Sequence, residues 1–160
     1  MIPDEASLDS AGRLDAPGQD PGRQPVQSAC DIRLTLPARA ENVALVRHMI
    51  GALAEAMHLP SELVEDVKLA VTEACTNVVR HAYDGSDGPL HVRVEPEEAC
   101  LTVIVSDQGR GIRPKPESDG AGLGLPLIAA LASQLEIDES PSEGSRVRMS
   151  FRPMGNLEPA

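Results

Sequence analysis

Residues 69–85 read LAVTEACTNVVRHAYDG, and the period of their apolar side chains decides the fold. Taken with the residues from Ser61 onward, Leu63, Val67, Val71, Ala74 and Val78 recur at three- and four-residue steps, which predicts an amphipathic helix over 61–82. Ser61 is the expected N-cap, with Glu62 and Glu65 favouring the positive end of the helix dipole. Glu73 and Asn77 stand four residues apart, a rise of about 6 Å with about 40° of rotation, so both project from one face. An Asn amide oxygen can ligate a magnesium ion that also holds phosphates, and a carboxylate one turn away can polarise a hydroxyl or a water. Taken alone, the same two residue types more readily suit a plain exposed helix surface.

Upstream, Ile32, Leu34 and Leu36 alternate with polar residues, predicting a strand that Pro37 ends. Val43, Val46, Ile50, Leu53 and Met57 then mark a helix within 38–59, stopped by Pro60. Downstream, Asp84-Gly85 and Asp87-Gly88 form a turn signal ahead of alternating Leu90, Val92 and Val94. The denser apolar run 101–105 completes a hairpin turning near Glu97. A glycine- and proline-rich stretch leads to Gly122, followed by a third helix over about 123–134 and two closing strands, 135–139 and 146–151. Elements in this order segregate into one sheet with helices on one face. The expectation is an α+β two-layer sandwich with a mixed sheet, over residues 29–152.

Residues 1–28 contain four prolines, three glycines, five acids and two arginines, which predicts a disordered acidic tail; 153–160 form a short C-terminal tail. Most of the net charge of −11 belongs to the domain, and no Lys/Arg block exists, so nucleic acid is not expected as a direct partner. Only Tyr83 and Phe151 are aromatic, which argues against stacking platforms. Cys30, Cys75 and Cys100 are odd in number and widely spaced, fitting a reduced cytoplasmic protein, and Cys75 is expected to face the interior. No apolar run reaches the roughly 18 residues of a membrane span, and the chain start lacks a signal-peptide pattern.

Two further patterns carry chemistry. Residues 106–111, SDQGRG, lie where a hydrophobic strand runs out. There Asp107 could accept a hydrogen bond from an adenine amino group, with Gly109 and Gly111 allowing close backbone approach, or the stretch could be a simple turn. Residues 120–125, GAGLGL, open the third helix, where free amides suit phosphate oxygens, or where the glycines equally serve a flexible loop and tight helix packing. Leu125 occupies the third glycine position of a dinucleotide fingerprint, and no Walker A sequence is present, so neither of those folds is expected.

In this order and on these elements, the patterns resemble the GHKL ATPases, whose Bergerat fold is shared by gyrase B, heat-shock 90 chaperones and histidine-kinase catalytic domains. LAVTEACTNVVRHAYDG (69–85) resembles the N box of that family, VSDQGRG (105–111) its G1 box and GAGLGLPLIAAL (120–131) its G2 box. GSRVRMSF (144–151) resembles the final box, with Ser145 where many members have Thr. Only eight residues separate Gly111 from Gly120, and His48 lacks the acid and proline of a phosphoacceptor motif, so the similarity is closest to the anti-sigma-factor serine/threonine kinases.

That resemblance implies ATP and Mg²⁺ as cofactors. It implies that Asp107 reads adenine beside Gly109 and Gly111, with Ser145 assisting. Asn77 would hold the metal, and Glu73 would act as general base toward a serine hydroxyl. Gly120, Gly122 and Gly124 would shape the lid and phosphate cradle, while His81 supports the site. The implied activity is phosphorylation of an anti-anti-sigma protein, alternating with sequestration of a sigma factor, by a homodimer. Two alternatives stay open on the residues: an anti-sigma module that binds ATP without transfer, and a detached catalytic domain acting on a histidine of another protein.

Overall fold

The computed structural model describes residues 31–110, 124–140 and 142–155. Its elements follow in the order β1 (Ile32–Pro37), α1 (Ala40–Ala56), α2 (Ser61–Asn77), a π-helical turn (Val78–Ala82), β2 (Pro89–Glu97), β3 (Cys100–Asp107), α3 (Gly124–Leu131), β4 (Gln134–Ser140) and β5 (Gly144–Phe151). The strands form one five-stranded sheet in the order β1-β2-β3-β5-β4, with the helices packed on one face.

Every neighbouring pair in the sheet is antiparallel, so the mixed sheet expected from the sequence is corrected. Two helices separate β1 from β2, so the chain comes back to the sheet pointing against β1. A single helix separates β3 from β4, and that crossover brings β4 back in the direction of β3. β5 inserts between them, and both contacts become antiparallel.

The alternating pattern of the strands places Leu90, Val92 and Val94 of β2, Leu101, Val103 and Val105 of β3, and Val147, Met149 and Phe151 of β5 on the helix-facing side, all buried. Each such side chain contributes roughly 1.5–3 kcal/mol by leaving water. Helix α2 lays Val64, Val67, Ala70, Val71, Ala74 and Cys75 against this surface. Leu63, expected in the core, is only partly buried, and Val64 takes the inner position. Gly51 of α1 meets the stem of Lys68, which allows α1 and α2 to pack closely.

Two helix ends differ from expectation. Pro60 is the N-cap of α2 and Ser61 its first residue; the hydrocarbon ring of proline has no acceptor, so no side-chain cap hydrogen bond forms. The C-terminal end of the predicted helix widens into the π-helical turn Val78–Ala82. Helix α3 ends at Leu131, and Gln134, expected in the helix, opens β4 instead. No helix among the described residues is long and apolar enough to cross a membrane.

Candidate active site

The end of α2 presents Glu73 and Asn77 on one partly buried face, as their spacing requires. Gly124, the first residue of α3, is pressed against both. A Cβ placed there would stand 3.1 Å from Asn77 Nδ2, 3.2 Å from Asn77 Oδ1 and 3.5 Å from Glu73 Oε2. The N-terminus of α3 therefore opens onto the amide and carboxylate of α2. Lys68 is committed elsewhere, 2.9 Å from Glu65 and 3.9 Å from Glu55, and its hydrogen bond and charge hold the Glu65 carboxyl below its ordinary range. Glu73 is left without a lysine partner on its own helix.

Asp107 is the last helix-facing residue of β3 and is 5 % exposed. Its Oδ1 accepts the Gly109 N–H at 2.8 Å and the Ser145 N–H at 3.4 Å, and its Oδ2 accepts the Ser145 hydroxyl. A carboxylate has about four lone-pair sites, so an acceptor position remains for a further donor. Ala74, Val78, Ala82, Val105 and Val147 wall a slim pocket above this pair, and Asn77 and His81 stand at its polar side. The cavity itself measures about 20 Å³, and its lining, apolar walls with one buried acceptor, is the chemistry that a heteroaromatic ring carrying an amino group would meet.

Two glycines make this approach possible. A side chain at Gly109 would collide with the Ala82 carbonyl, to which the Arg110 N–H donates at 3.2 Å. Gly144 has φ +87° and lies against the Asp107 carbonyl, so a side chain there would be both strained and obstructed. The ion pair of Arg110 with Asp84, at 2.7 Å, fastens the same loop to the turn after the π-helical segment.

The structure thus brings together Glu73, Asn77, Asp107, Gly109, Gly124 and Ser145, with His81 beside them. Gly111, Gly120 and Gly122 lie outside the described residues. Gly144 and the Ala82 carbonyl were not singled out from the sequence. The signal for Gly144 was the Glu143-Gly144 step before β5, which reads equally well as an ordinary turn. Cys75 is fully buried, as expected, and burial pushes its thiol up to about 12.

The larger cavity, about 640 Å³, is on the open face of the sheet and is lined by Arg33, His91, Arg93, Arg146, Asp138 and Glu139. On that face Arg93 pairs with Asp31 at 2.6 Å and Glu95 at 2.9 Å, and Arg148 with Glu95 at 3.1 Å. Size alone does not locate the chemistry.

Among the described residues, no group of three or more His, Cys, Asp or Glu side chains forms a metal cage. The neutral Asn77 oxygen is a hard ligand beside a helix N-terminus. That donor set fits a magnesium ion brought with phosphates and retaining waters, as opposed to a metal held by protein alone.

The two-layer sandwich brings this constellation to the ends of α2 and β3 and the start of α3. Residues 36–151 match the histidine kinase-like ATPase domain, and the chain belongs to that family. It is 36 % identical over 124 residues to the serine-protein kinase RsbW of Bacillus pumilus, covering 66 % of this chain and 76 % of that protein. It is 28 % identical over 124 residues to the anti-sigma F factor of Caldanaerobacter subterraneus, covering 71 % and 87 %. In fold, it resembles the crystal structure of the RsbU and RsbW domains of a Mycobacterium tuberculosis protein, with a TM-score of 0.61 at 21 % identity, over 78 % of this chain and 33 % of that one.

Proposed function

We propose that this chain is an ATP-dependent protein serine kinase of the anti-sigma type, which phosphorylates an anti-anti-sigma protein and otherwise sequesters a sigma factor. The kinase and anti-sigma character is that of its relatives, the serine-protein kinases RsbW and the anti-sigma F factors. The observation that carries the site assignment is the seating of Gly124 on Asn77 and Glu73, which puts a helix N-terminus, a metal-type amide and a carboxylate at one point.

In this proposal Asp107 accepts the adenine amino group, with Ser145 holding the carboxylate and Gly109 and Gly111 giving the ring room. Asn77 supplies an oxygen to Mg²⁺, and Gly120, Gly122 and Gly124 leave backbone amides open to the phosphates. When bound, the metal neutralises phosphate charge and orients the transferred group. Glu73 accepts the proton of the incoming serine hydroxyl as that oxygen bonds to the γ-phosphorus and the bond to the departing ADP oxygen breaks. Catalysis rests on positioning, so Glu73 contributes less than the residues that align the reactants.

Phosphate on the antagonist serine adds about −1.5 to −2 charges and weakens docking to an acidic kinase domain, which frees the kinase for sigma. The working form is a cytoplasmic homodimer. Calorimetric titration with ATP tests the site. Asp107→Asn should weaken binding roughly 10- to 150-fold by loss of a charge-assisted hydrogen bond. Unchanged affinity would place the nucleotide elsewhere.

A further inference from the structure

The segment that follows Asp107 has an anchor of its own in Tyr83. Tyr83 is the only tyrosine of the chain. Its hydroxyl donates to the Pro89 carbonyl at 2.5 Å and accepts the Gln108 N–H at 2.9 Å. The β2–β3 ladder reaches Leu90 opposite Asp107, and the next facing residues are Pro89 and Gln108. Proline has no N–H to offer that rung. The phenol stands in the gap, linking the Pro89 carbonyl to the Gln108 amide.

The ring is seated by Gly88, where any side chain would overlap it. Partial burial pushes the phenol above its ordinary range and the Asp107 charge acts in the same sense, against the Gln108 hydrogen bond. The hydroxyl therefore stays protonated at neutral pH and can serve both partners. Gln108 is bonded on one side to Asp107 and on the other to Gly109, whose N–H holds Asp107 Oδ1 at 2.8 Å. Gly109 in turn rests on the carbonyl of Ala82, the residue preceding Tyr83. The residues after Asp107 are thus fixed to the end of the π-helical turn from two sides.

We propose that Tyr83 is a positioning residue for nucleotide selectivity: its hydroxyl fixes Gln108 and Gly109 so that Asp107 faces the ring with a single orientation. The proposal rests on the assignment of Asp107 to adenine. It concerns discrimination between purines as well as affinity, because an aimed carboxylate accepts from the amino group of adenine and repels the carbonyl oxygen of guanine.

The test is calorimetric titration of the full chain with ATP and with GTP, each with magnesium, for wild type, Tyr83→Phe, Asp107→Asn and the double variant. Tyr83→Phe should raise the ATP Kd about tenfold and leave the GTP Kd within about twofold, lowering the selectivity. Added to Asp107→Asn, it should change the ATP Kd less than about twofold, since its effect passes through that carboxylate. A purely structural role would lower the fitted stoichiometry, or weaken both nucleotides alike, and would overturn the proposal. So would full additivity of the two substitutions. If Asp107→Asn weakens ATP and Tyr83→Phe does not, this inference alone fails. If Asp107→Asn changes nothing, the adenine assignment fails with it.

Discussion

The buried carboxylate of Asp107 at the end of β3 accepts the hydroxyl and, more distantly, the N–H of Ser145 on β5. The neighbouring strands β3 and β5 are thereby tied at the floor of the pocket, and one carboxylate oxygen is oriented before any ligand arrives. Ser145→Ala removes the hydroxyl and leaves that oxygen short of a donor. It should cost about 1.5–3 kcal/mol, divided between unfolding free energy and ATP affinity. Urea unfolding with and without saturating ATP measures both parts, and no change in either would mean the pair is idle.

Gly109→Ala is expected to be severe, because the new methyl meets backbone, the Ala82 carbonyl, with no flexible side chain to yield. A loss of about 2 kcal/mol or more in stability, accompanied by weaker ATP binding, is the expected outcome. Gly144→Ala should be comparable through a different cause, the combination of φ +87° with contact at the Asp107 carbonyl. Thermal unfolding of the two variants beside Gly155→Ala, where no atom lies within 4 Å, separates crowding from conformational strain.

For the transfer step, Glu73→Ala should abolish most phosphate transfer while ATP binding stays within a few-fold of wild type. Asn77→Ala should weaken ATP binding in the presence of magnesium and leave metal-free binding nearly unchanged. Titrations with magnesium and with a chelator check the second, and steady-state transfer checks the first. Equal loss of binding and transfer in Glu73→Ala would make its part structural.

The pH dependence of stability has a definite sign at Cys75. Burial raises its folded value from 9.0 to about 12, so the unfolded chain releases the thiol proton first. The contribution is complete below pH 9 and is lost progressively as pH rises from there toward 12. Tyr83 shifts in the same sense. The alkaline fall in stability should therefore become shallower, without vanishing, in Cys75→Ala. A native thiol this buried should also resist alkylation at neutral pH, which mass spectrometry after brief exposure to iodoacetamide reads directly.

The helical face of α2 was legible because Val67, Val71, Ala74 and Val78 repeat at the helical period, and that period carried Glu73 and Asn77 to one side with it. The strands were legible for the matching reason of alternation in β2 and the closed apolar run of β3. Strand direction was not, since it depends on β5 inserting beside β3, a long-range pairing that local periodicity does not encode. The π-helical turn was equally hidden: Val78 and Val79 continue the helical pattern in sequence, and the wider hydrogen-bond spacing leaves no mark on that pattern. At the site, residue types with chemical character declared themselves, but the part of Gly144 and the Ala82 carbonyl is one of backbone approach, and only packing reveals that.

The most direct measurement of the kinase assignment is transfer of labelled γ-phosphate from ATP, in magnesium, to the cognate anti-anti-sigma protein, followed by acid treatment of the product. Acid-stable label on a serine of the partner, strongly reduced with Glu73→Ala and with Asp107→Asn at limiting ATP, is the expected result. ATP binding without transfer to that partner, or label lost in acid as from phosphohistidine, would contradict it.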